Sequence, residues 1–338
     1  MRFDRVQIAS VAHADATHRV TSVELEERLR PTLSAMKAPA GMIEGLTGIR
    51  ARRWWDEGFQ PSDAATLAAE KAIEAAGIDR SRIGVLINTS VCRDFIEPSV
   101  ACLVHGNLSL SSQCMNFDLG NACLGFLNGM EIVGNMIERG QIDYGLVVDG
   151  ESSRFVVEKT IEKLNAIAQS NGMFRDNFAT LTLGSGGAAM VLGRDDLVQS
   201  GHAFRGGVTL AATEHNHLCR GQVDGMITDS QGLMVAGIEL AARTFENARQ
   251  EFGWADGSLD ELVLHQVSRS HTDKLAGTLG LDHSKILAIY PEFGNVGPAS
   301  VPIVLSKAQE MGRIQSGSRI ALMGIGSGLN CSMAEIVW

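Results

Sequence analysis

One stretch of the chain, residues 115–150, limits the fold more than any other. The residues from Leu124 to Ile137 are almost all apolar or small. A helix that is apolar nearly all round lies inside a large protein rather than on its surface. A short apolar run precedes it, and a second strand, residues 144–148, follows directly. The sequence therefore predicts a strand, a sharp turn, a buried helix and a strand.

Cys123 lies in the turn that opens this predicted helix. We expect Asn121 to cap the helix and Gly140 to end it. Unpaired backbone N–H groups and the positive end of the helix dipole lower the pKa of a thiol at a helix start, and the thiolate is the nucleophile. Cys123 is therefore a candidate nucleophile, although a free cysteine is just as often a small core residue.

Composition excludes several classes of protein. The chain has 338 residues, enough for about two domains. Its net charge of −10 argues against a nucleic-acid or anionic-membrane surface. No apolar run is long enough to predict a membrane span. The six cysteines show no CxxC spacing and no secretory signal precedes them, which predicts reduced thiols and a cytoplasmic protein.

Two segments of the second half of the chain resemble segments of the first. Residues 77–90 and 253–268 both read as a glycine, a short polar link, a strand and a serine. Residues 183–192 and 325–337 share a Gly-Ser-Gly turn and an apolar strand. Repetition at about half the chain length predicts two similar α/β halves.

We place the boundary between the halves near residue 195. The N-terminal half, residues 1–195, would hold Cys123, and the C-terminal half would be residues 196–338. Residues 152–178 and 211–236 fit neither half, so we interpret them as insertions over the core, serving as a cap, a dimer contact or both.

Two polar residues of the second half complete a candidate site. His265 follows the apolar run at residues 262–264, and ligands gather at strand ends in open α/β sheets. Asn295 lies in a Gly-Asn-Val-Gly segment, which is also simply good turn chemistry. A cysteine, a histidine and an asparagine together suit acyl transfer, with the cysteine as nucleophile and the other two polarising a thioester carbonyl.

At these motifs the chain resembles the thiolase superfamily of condensing enzymes, on the branch of the ketoacyl-acyl carrier protein synthase III type. The residues that carry the resemblance are Thr47-Gly48-Ile49, Asn121-Ala-Cys123, His265-Gln266, Gly294-Asn295 and Gly324-Ile-Gly-Ser-Gly328. The resemblance implies a five-layer αβαβα thiolase fold with two duplicated halves, an obligate homodimer and an acyl group carried on the cysteine.

Within that branch the chain is most similar to the olefin-biosynthesis thiolases, which join two long-chain acyl-CoA molecules head to head without decarboxylation to give a β-keto acid. This closer resemblance also depends on the motifs Asn88-Thr-Ser90, Glu97-Pro-Ser99, Val148-Asp-Gly-Glu151 and Leu218-Cys-Arg-Gly221. The resemblance implies that Cys123 takes the first acyl group, that His265 and Asn295 hold and polarise the acyl units, and that the backbone N–H groups of Cys123 and Ser327 form oxyanion holes. It implies no cofactor beyond the coenzyme A of the substrate, and other enzymes of an olefin pathway as partners.

The resemblance also implies that Glu97 of the partner subunit is the base that removes a proton from the second acyl chain. A condensation of two plain acyl thioesters must remove a carbon-bound proton, whereas decarboxylation of a malonyl unit needs no base. The biosynthetic thiolases use a second cysteine just before the last Gly-rich loop, where this chain has none. Three alternatives remain: Glu97 as a solvated loop carboxylate, a decarboxylating synthase that uses malonyl-ACP, and a non-catalytic acyl-CoA-binding paralogue.

Arginines near two motifs are candidate contacts for coenzyme A. Arg52 lies in a basic and aromatic cluster with Arg50, Arg53 and Trp54, next to the Thr-Gly-Ile loop that the family places at the coenzyme A tunnel. Arg269 follows the His265 motif. A surface turn with its own ion pairs is the alternative. The segment His215-Asn-His217-Leu-Cys219 has no fourth ligand nearby, so we expect no metal site.

Overall fold

The structure is a computed structural model that describes residues 1–166 and 171–338. Its strands are β1 (Val6–Asp15), β2 (His18–Thr21), β3 (Ala51–Trp54), β4 (Ile83–Asn88), β5 (Met115–Asp118), β6 (Tyr144–Glu151), β7 (Gly186–Arg194), β8 (His202–Ala211), β9 (Cys219–Gln222), β10 (Gly225–Thr228), β11 (Glu261–Leu264), β12 (Arg319–Gly326) and β13 (Asn330–Val337). Its helices are α1 (Ser22–Arg28), α2 (Arg30–Ala35), α3 (Met42–Thr47), α4 (Pro61–Ala76), α5 (Val100–Asn107), α6 (Gly125–Glu138), α7 (Arg154–Ala166), α8 (Asn171–Asn177), α9 (Ser230–Phe252), α10 (Arg269–Leu279), α11 (Tyr290–Phe293) and α12 (Ser300–Glu310).

Nine strands of the described residues form one mixed sheet in the order β11-β12-β13-β8-β1-β7-β6-β4-β5. The strand order is the same in both halves of this sheet when each half is read outward from its first strand, β1 or β8. The strand that would complete the C-terminal half is reduced to one parallel bridge between Leu262 and Ile286. β1 and β8 join the halves through Gln7 and Ile8.

The two halves of the sheet enclose a central helix layer and carry a helix layer on each outer face. Alternate residues of a strand point to opposite faces, so Val85 and Ile87 pack in the cluster with α6 and α12, while Leu86 packs against α4 and α5. In the second half, Val263 faces the central helices and Leu264 faces α9 and α10. The predicted five-layer αβαβα arrangement is confirmed.

The repeated strand order supports the predicted division into residues 1–195 and 196–338. β7 ends at Arg194 and β8 begins at His202, so the predicted boundary falls in the link between them. The division remains a prediction, because a repeat of strand order shows similarity of the halves and not their independence.

A cap covers one end of the sheet. It consists of α1, α2, α3, α7 and α8, which share an apolar cluster that includes Leu25, Trp54 and Phe174. The β9–β10 hairpin contacts α7 and α8. The predicted insertion 152–178 thus forms α7 and α8, apart from residues 167–170, which lie outside the described residues. The predicted end of the second insertion, residue 236, is wrong, because Asp229 caps α9 at Ser230.

Local signals in the sequence place several elements correctly. The capping box at Thr21 and Glu24 opens α1, with the Thr21 hydroxyl accepting from the Glu24 N–H at 3.1 Å. Gly77, with φ of 63°, ends α4 in the left-handed conformation. No helix in the described part of the chain is long and apolar enough to cross a membrane.

Candidate active site

The candidate nucleophile, Cys123, lies in a short 3₁₀ turn, Ala122–Leu124, between β5 and α6. The predicted cap at Asn121 is wrong, because its side chain caps no helix N–H. Its amide instead donates to Asn128 Oδ1 at 2.6 Å and accepts from Asn330 Nδ2 at 3.2 Å. Ala122 has φ of 46°, a strained value for a residue with a Cβ, and such strain persists only where neighbouring contacts impose it.

The surroundings of Cys123 oppose its ionisation. Burial raises the pKa of the Cys123 thiol to about 12, and the negative charge of Glu151 adds to the rise. The pKa lowering that we predicted from a helix start is therefore wrong for the free protein, since desolvation and nearby acids dominate. The proton of the thiol must leave to a nearby base when the sulfur attacks.

His265 follows β11 directly, as predicted, and its backbone N–H donates to the Met323 carbonyl at 2.8 Å. The side chain is only 4% exposed, and its Nδ1 has no hydrogen-bond partner among the described residues. Burial lowers the pKa of His265 to about 3, with a further contribution from His271. The imidazole is therefore neutral near pH 7 and can accept a proton.

Asn295 lies in the turn between α11 and the 3₁₀ turn Gly297–Ala299. Its backbone is fixed on both sides, because its N–H donates to the Thr182 carbonyl at 2.9 Å and its carbonyl accepts from the Gly184 N–H at 2.8 Å. Its side-chain oxygen accepts from the Gly297 N–H at 3.0 Å. This bond orients the amide so that its NH₂ group stays available to donate.

Three turns converge at this point of the molecule. The Cys123 turn contacts both the Gly297–Ala299 turn and the end of β12. A Cβ at Gly326 would lie 3.4 Å from the Cys123 nitrogen, so the two backbones touch. Ser327 is the next residue, half-buried in the turn between β12 and β13. The structure thus brings together the segments of Cys123, Asn295 and Ser327. His265 is attached to β12 through its backbone hydrogen bond to Met323.

Glu97 lies in the segment of residues 91–99, between β4 and α5. Glu97 is exposed, as are its neighbours Phe95 and Ile96, at 58% and 87%. The structure of one chain leaves this carboxylate facing solvent.

A groove of about 470 Å³ opens beside the Thr-Gly-Ile loop. It is lined by residues of α3, α10 and α11, among them Gly48, Arg50, Arg269 and Tyr290. Arg269 is exposed there, and Arg50 pairs with Glu292 at 2.9 Å at its edge. A groove with two arginines at its rim is suited to bind phosphates.

Arg52, which we predicted to contact coenzyme A, does not line this groove. Its side chain is fully buried and donates to the Ser22 hydroxyl at 3.1 Å and to the Leu181 carbonyl at 3.0 Å. Arg52 lies on β3, where Ala51 and Trp54 are also buried. Arg52 holds the cap to the core and does not reach the groove, so Arg50 replaces it as the candidate.

Three side chains near the site were not among the predicted residues: Asp149 and Glu151, which are buried, and His271, which is half-buried. Burial raises the pKa of Glu151 to about 7, and it raises that of Asp149, to which the charge of Glu151 also contributes. Burial lowers the pKa of His271 to about 4. A sequence signal existed for the two acids, since they end an apolar strand, where chemistry gathers in α/β sheets.

Metal binding has no support in the part of the chain that the structure describes, where no three His, Cys, Asp or Glu side chains are grouped to hold an ion. His217 is exposed and His215 half-buried. All six cysteines are free thiols.

Comparison with known proteins gives consistent likenesses along the whole chain. The family model described as 3-oxoacyl-[acyl-carrier-protein (ACP)] synthase III matches residues 117–206, and the model of the C-terminal part of that synthase matches residues 250–338. The chain is 53% identical to an acyl-CoA:acyl-CoA alkyltransferase of Xanthomonas campestris, with 100% of both chains covered. It is 37% identical to a protein of the same name from Shewanella oneidensis, again with 100% of both covered.

Solved structures of OleA from Xanthomonas campestris have the same fold. The cerulenin-bound structure matches with a TM-score of 0.98 and 53% identity, covering 100% of this chain and 98% of that one. A structure of a variant with bound lauric acid and lauroyl-CoA matches with a TM-score of 0.97 and 53% identity, covering 99% and 100%. Other structures of that protein carry a replaced cysteine, glutamate or histidine. The thiolase fold that the sequence predicts is confirmed.

Proposed function

This chain belongs to the OleA-type acyl-CoA:acyl-CoA alkyltransferases of the 3-oxoacyl-[acyl-carrier-protein] synthase III family, and on that premise we propose its function and the roles of its residues. It is an acyltransferase that condenses two long-chain acyl-CoA molecules head to head, without decarboxylation, to a β-keto acid, the first step of olefin biosynthesis. This conclusion depends on the match with the Xanthomonas protein over the full length of both chains. In the folded chain, the turns of Cys123, Asn295 and Ser327 meet.

The first half-reaction loads Cys123. Its sulfur attacks the thioester carbonyl of one acyl-CoA, the bond to the coenzyme A sulfur breaks, and the acyl group becomes a thioester of Cys123. The high pKa of the thiol requires that its proton leave during the attack, and neutral His265 can accept it and pass it to the departing thiolate. The N–H groups of Cys123 and Ser327 stabilise the oxyanion.

The second half-reaction forms the carbon–carbon bond. Glu97 of the partner subunit removes an α-proton from the second acyl-CoA, whose carbonyl is polarised by His265 and Asn295. The α-carbon attacks the acyl group on Cys123, and the thiolate leaves and regains a proton. Hydrolysis of the β-ketoacyl-CoA then gives the β-keto acid, so two acyl-CoA and one water yield one β-keto acid and two coenzyme A.

A homodimer is part of the proposal, because Glu97 is exposed on the single chain. β5 is an edge strand of the sheet, and an edge strand offers unpaired backbone groups to a second chain. The exposed Phe95 and Ile96 beside Glu97 are large apolar side chains of the kind that a partner covers. These features support a subunit contact that carries the 91–99 segment to the neighbouring site.

Coenzyme A would bind in the groove at Arg50 and Arg269, where the two guanidinium groups can hold its phosphates. The chemistry requires no cofactor other than the coenzyme A that substrates bring. Free cysteines support a cytoplasmic location. Release of a β-keto acid implies that further enzymes of the olefin pathway consume it.

The ligands of the related structures support the substrate class. The Xanthomonas protein binds lauroyl-CoA and lauric acid, a long-chain thioester and its acid. The residue types replaced in its variants, cysteine, glutamate and histidine, are also the types of Cys123, Glu97 and His265.

Product analysis tests this function against the decarboxylating alternative. The enzyme is incubated with one pure long-chain acyl-CoA, with and without malonyl-ACP, and the products are identified by mass spectrometry. We expect a β-keto acid with twice the acyl carbon count and two coenzyme A per product, without malonyl-ACP. A product that forms only with malonyl-ACP and is two carbons longer than the acyl chain would establish the decarboxylating reaction instead.

A further inference from the structure

The segment of residues 91–99 is held to the protein by three carboxylates. At its start, Glu151 accepts from the backbone N–H groups of Val91 at 2.6 Å and Cys92 at 3.3 Å. In its middle, Asp94 accepts from the Ser62 N–H at 3.0 Å. Past its end, the first turn of α5 is held by Asp118. Between these anchors, the tip with Glu97 is exposed, so its position is set by the anchors and not by packing.

Glu151 differs from the other two anchors because it is buried, at 5% exposure, and because its charge acts on Cys123, the nucleophile of its own chain. Its main chain is fixed independently, since its carbonyl accepts from Trp55 Nε1 at 3.0 Å. A Cβ at Gly297 would lie 3.5 Å from its carboxyl carbon, which places the carboxylate against the turn of Asn295. Glu151 is therefore in contact with the local active site and with the segment that would serve the other one.

We propose that Glu151 is a positioning residue that fixes the 91–99 segment, and through it Glu97, for the reaction at the partner subunit's active site. This inference rests on the proposed function, in which Glu97 acts across the subunit contact. A carboxylate that accepts two backbone N–H groups makes charge-assisted bonds, which are roughly twice as strong as neutral ones. Glu151 thereby holds the segment rigidly at its root, as a base that must reach one α-proton requires.

The inference predicts that a defect at Glu151 appears in the site of the other chain. Glu151→Gln keeps the shape, but its NH₂ group cannot accept from the Cys92 N–H, so one of the two bonds is lost. If Glu151 instead served Cys123 of its own chain, the defect would appear in its own site. Mixed dimers with a single intact site separate these two cases.

The parental mixed dimer combines a Cys123→Ala chain with a Glu97→Gln chain, each with its own affinity tag. Its one complete site uses Cys123 of the second chain and Glu97 of the first. Glu151→Gln is then added either to the first chain, which donates Glu97, or to the second, which donates Cys123. Condensation of one acyl-CoA and formation of the acyl-enzyme are measured in all three dimers.

We expect condensation to fall by about tenfold or more when Glu151→Gln is in the chain that donates Glu97. When the change is in the chain that donates Cys123, we expect condensation to stay above about half of the parental rate. Acyl-enzyme formation should not slow in either dimer, because loss of the Glu151 charge makes the Cys123 thiol easier to ionise. A loss confined to the chain that donates Cys123, an equal loss in both dimers, or no loss in either would overturn the inference. An inactive parental dimer would instead refute the cross-subunit function, and the inference with it.

Two further variants guard against misfolding. Glu151→Asp keeps the charge but is one methylene shorter, so its carboxylate lies farther from the Val91 and Cys92 N–H groups. It should reduce condensation only in the chain that donates Glu97, and it replaces Glu151→Gln in the test if that variant does not fold.

Asp149→Asn is the matched control, because Asp149 lies on the same strand and is also buried. Its carboxylate accepts from Thr89 at 2.6 Å and does not hold the segment. It should give equal rates in the two mixed dimers, and a loss specific to the Glu97 donor would overturn the assignment to Glu151.

Discussion

At the scale of single residues, the site combines neutral groups whose surroundings resist charge. Cys123 and His265 are both held in their neutral forms by burial, with pKa values near 12 and 3. Neither is poised as an ion before substrate arrives, so a proton must move within the site when the thioester is attacked. Asn295 is different, because it contributes hydrogen bonds without any change of charge.

Asn295→Asp tests whether this side chain polarises a carbonyl. The change keeps the shape but replaces an N–H donor with a carboxylate beside a developing oxyanion. We expect the rate of condensation, measured as steady-state release of coenzyme A and product, to fall by about a hundredfold or more. Thermal unfolding should change little, since the Gly297 N–H keeps an acceptor. Near-normal activity would show that Asn295 is only a turn residue.

His271 links the stability of the protein to pH. Its pKa is about 4 in the folded chain, against an ordinary value of 6.5, so below pH 6.5 the unfolded chain binds a proton that the folded one does not. Stability contributed by the neutral form is thus complete above pH 6.5 and is lost as the pH falls to about 4. Between pH 7 and pH 5 this residue alone should cost about 2 kcal/mol.

The measurement is urea unfolding of the parent and of His271→Leu at both pH values and equal protein concentration. The variant should lose about 2 kcal/mol less than the parent on acidification, because leucine does not titrate. An equal loss in the two proteins would contradict the role of His271, whereas the buried His265 contributes to both and cancels.

At the scale of elements, function depends on turns that touch each other. The end of β12 packs on the Cys123 turn, and a Cβ at Gly326 would lie 3.1 Å from the Asn121 carbonyl oxygen and 3.4 Å from the Cys123 nitrogen. Both contacts are with backbone, which cannot rotate away as a flexible side chain can. The spacing of these two turns therefore sets the geometry of the proposed oxyanion hole, which the N–H groups of Cys123 and Ser327 would form.

Gly326→Ala should displace these turns by a few tenths of an ångström. We expect acyl-enzyme formation and condensation both to fall by roughly tenfold, because misplaced N–H donors serve both steps. Gly106→Ala in α5 is the matched control, since no atom lies within 4 Å of its Cβ position. It should leave both rates unchanged and raise stability by about 0.5–1 kcal/mol. Equal effects of the two variants would contradict the proposed contact.

The sequence predicts those elements whose signals are local. The capping box of α1, the glycine at the end of α4 and the strand before His265 each depend on residues a few positions apart. The cap at Asn121 fails because one partner of that amide is Asn330, far along the chain. The prediction for Arg52 is wrong for a similar reason. Its guanidinium donates to the carbonyl of Leu181, which is far along the chain, and does not face solvent.

The residues of the candidate site also differ in whether a local sequence signal predicts them. Cys123, His265, Asn295 and Ser327 could be chosen from the sequence because they lie in short motifs that resemble a family. The contact between Glu151 and Val91 joins the ends of two neighbouring β-strands and has no local pattern. Residues that position others act through such long-range contacts, and a single sequence does not display them.

At the scale of the whole molecule, the proposed function requires two chains to make one site. Each chain holds a nucleophile inside and presents a carboxylate outside, at the tip of the 91–99 segment. The duplicated halves bring the Cys123 and Asn295 turns together within one subunit, whereas the proposed role of Glu97 needs a subunit contact. Loading of Cys123 requires no carbon-bound proton to leave, and condensation does, so the two half-reactions should separate at Glu97.

The intact mass of Glu97→Gln, measured after incubation with one long-chain acyl-CoA, tests this central claim most directly. We expect one acyl group per chain, located on Cys123 by peptide mapping, and no β-keto acid, because the amide cannot accept the α-proton. Cys123→Ala, the control, should carry no acyl group and release no coenzyme A. A β-keto acid formed by Glu97→Gln at the normal rate would show that the base lies elsewhere, and an acyl group on another cysteine would contradict the assignment of the nucleophile.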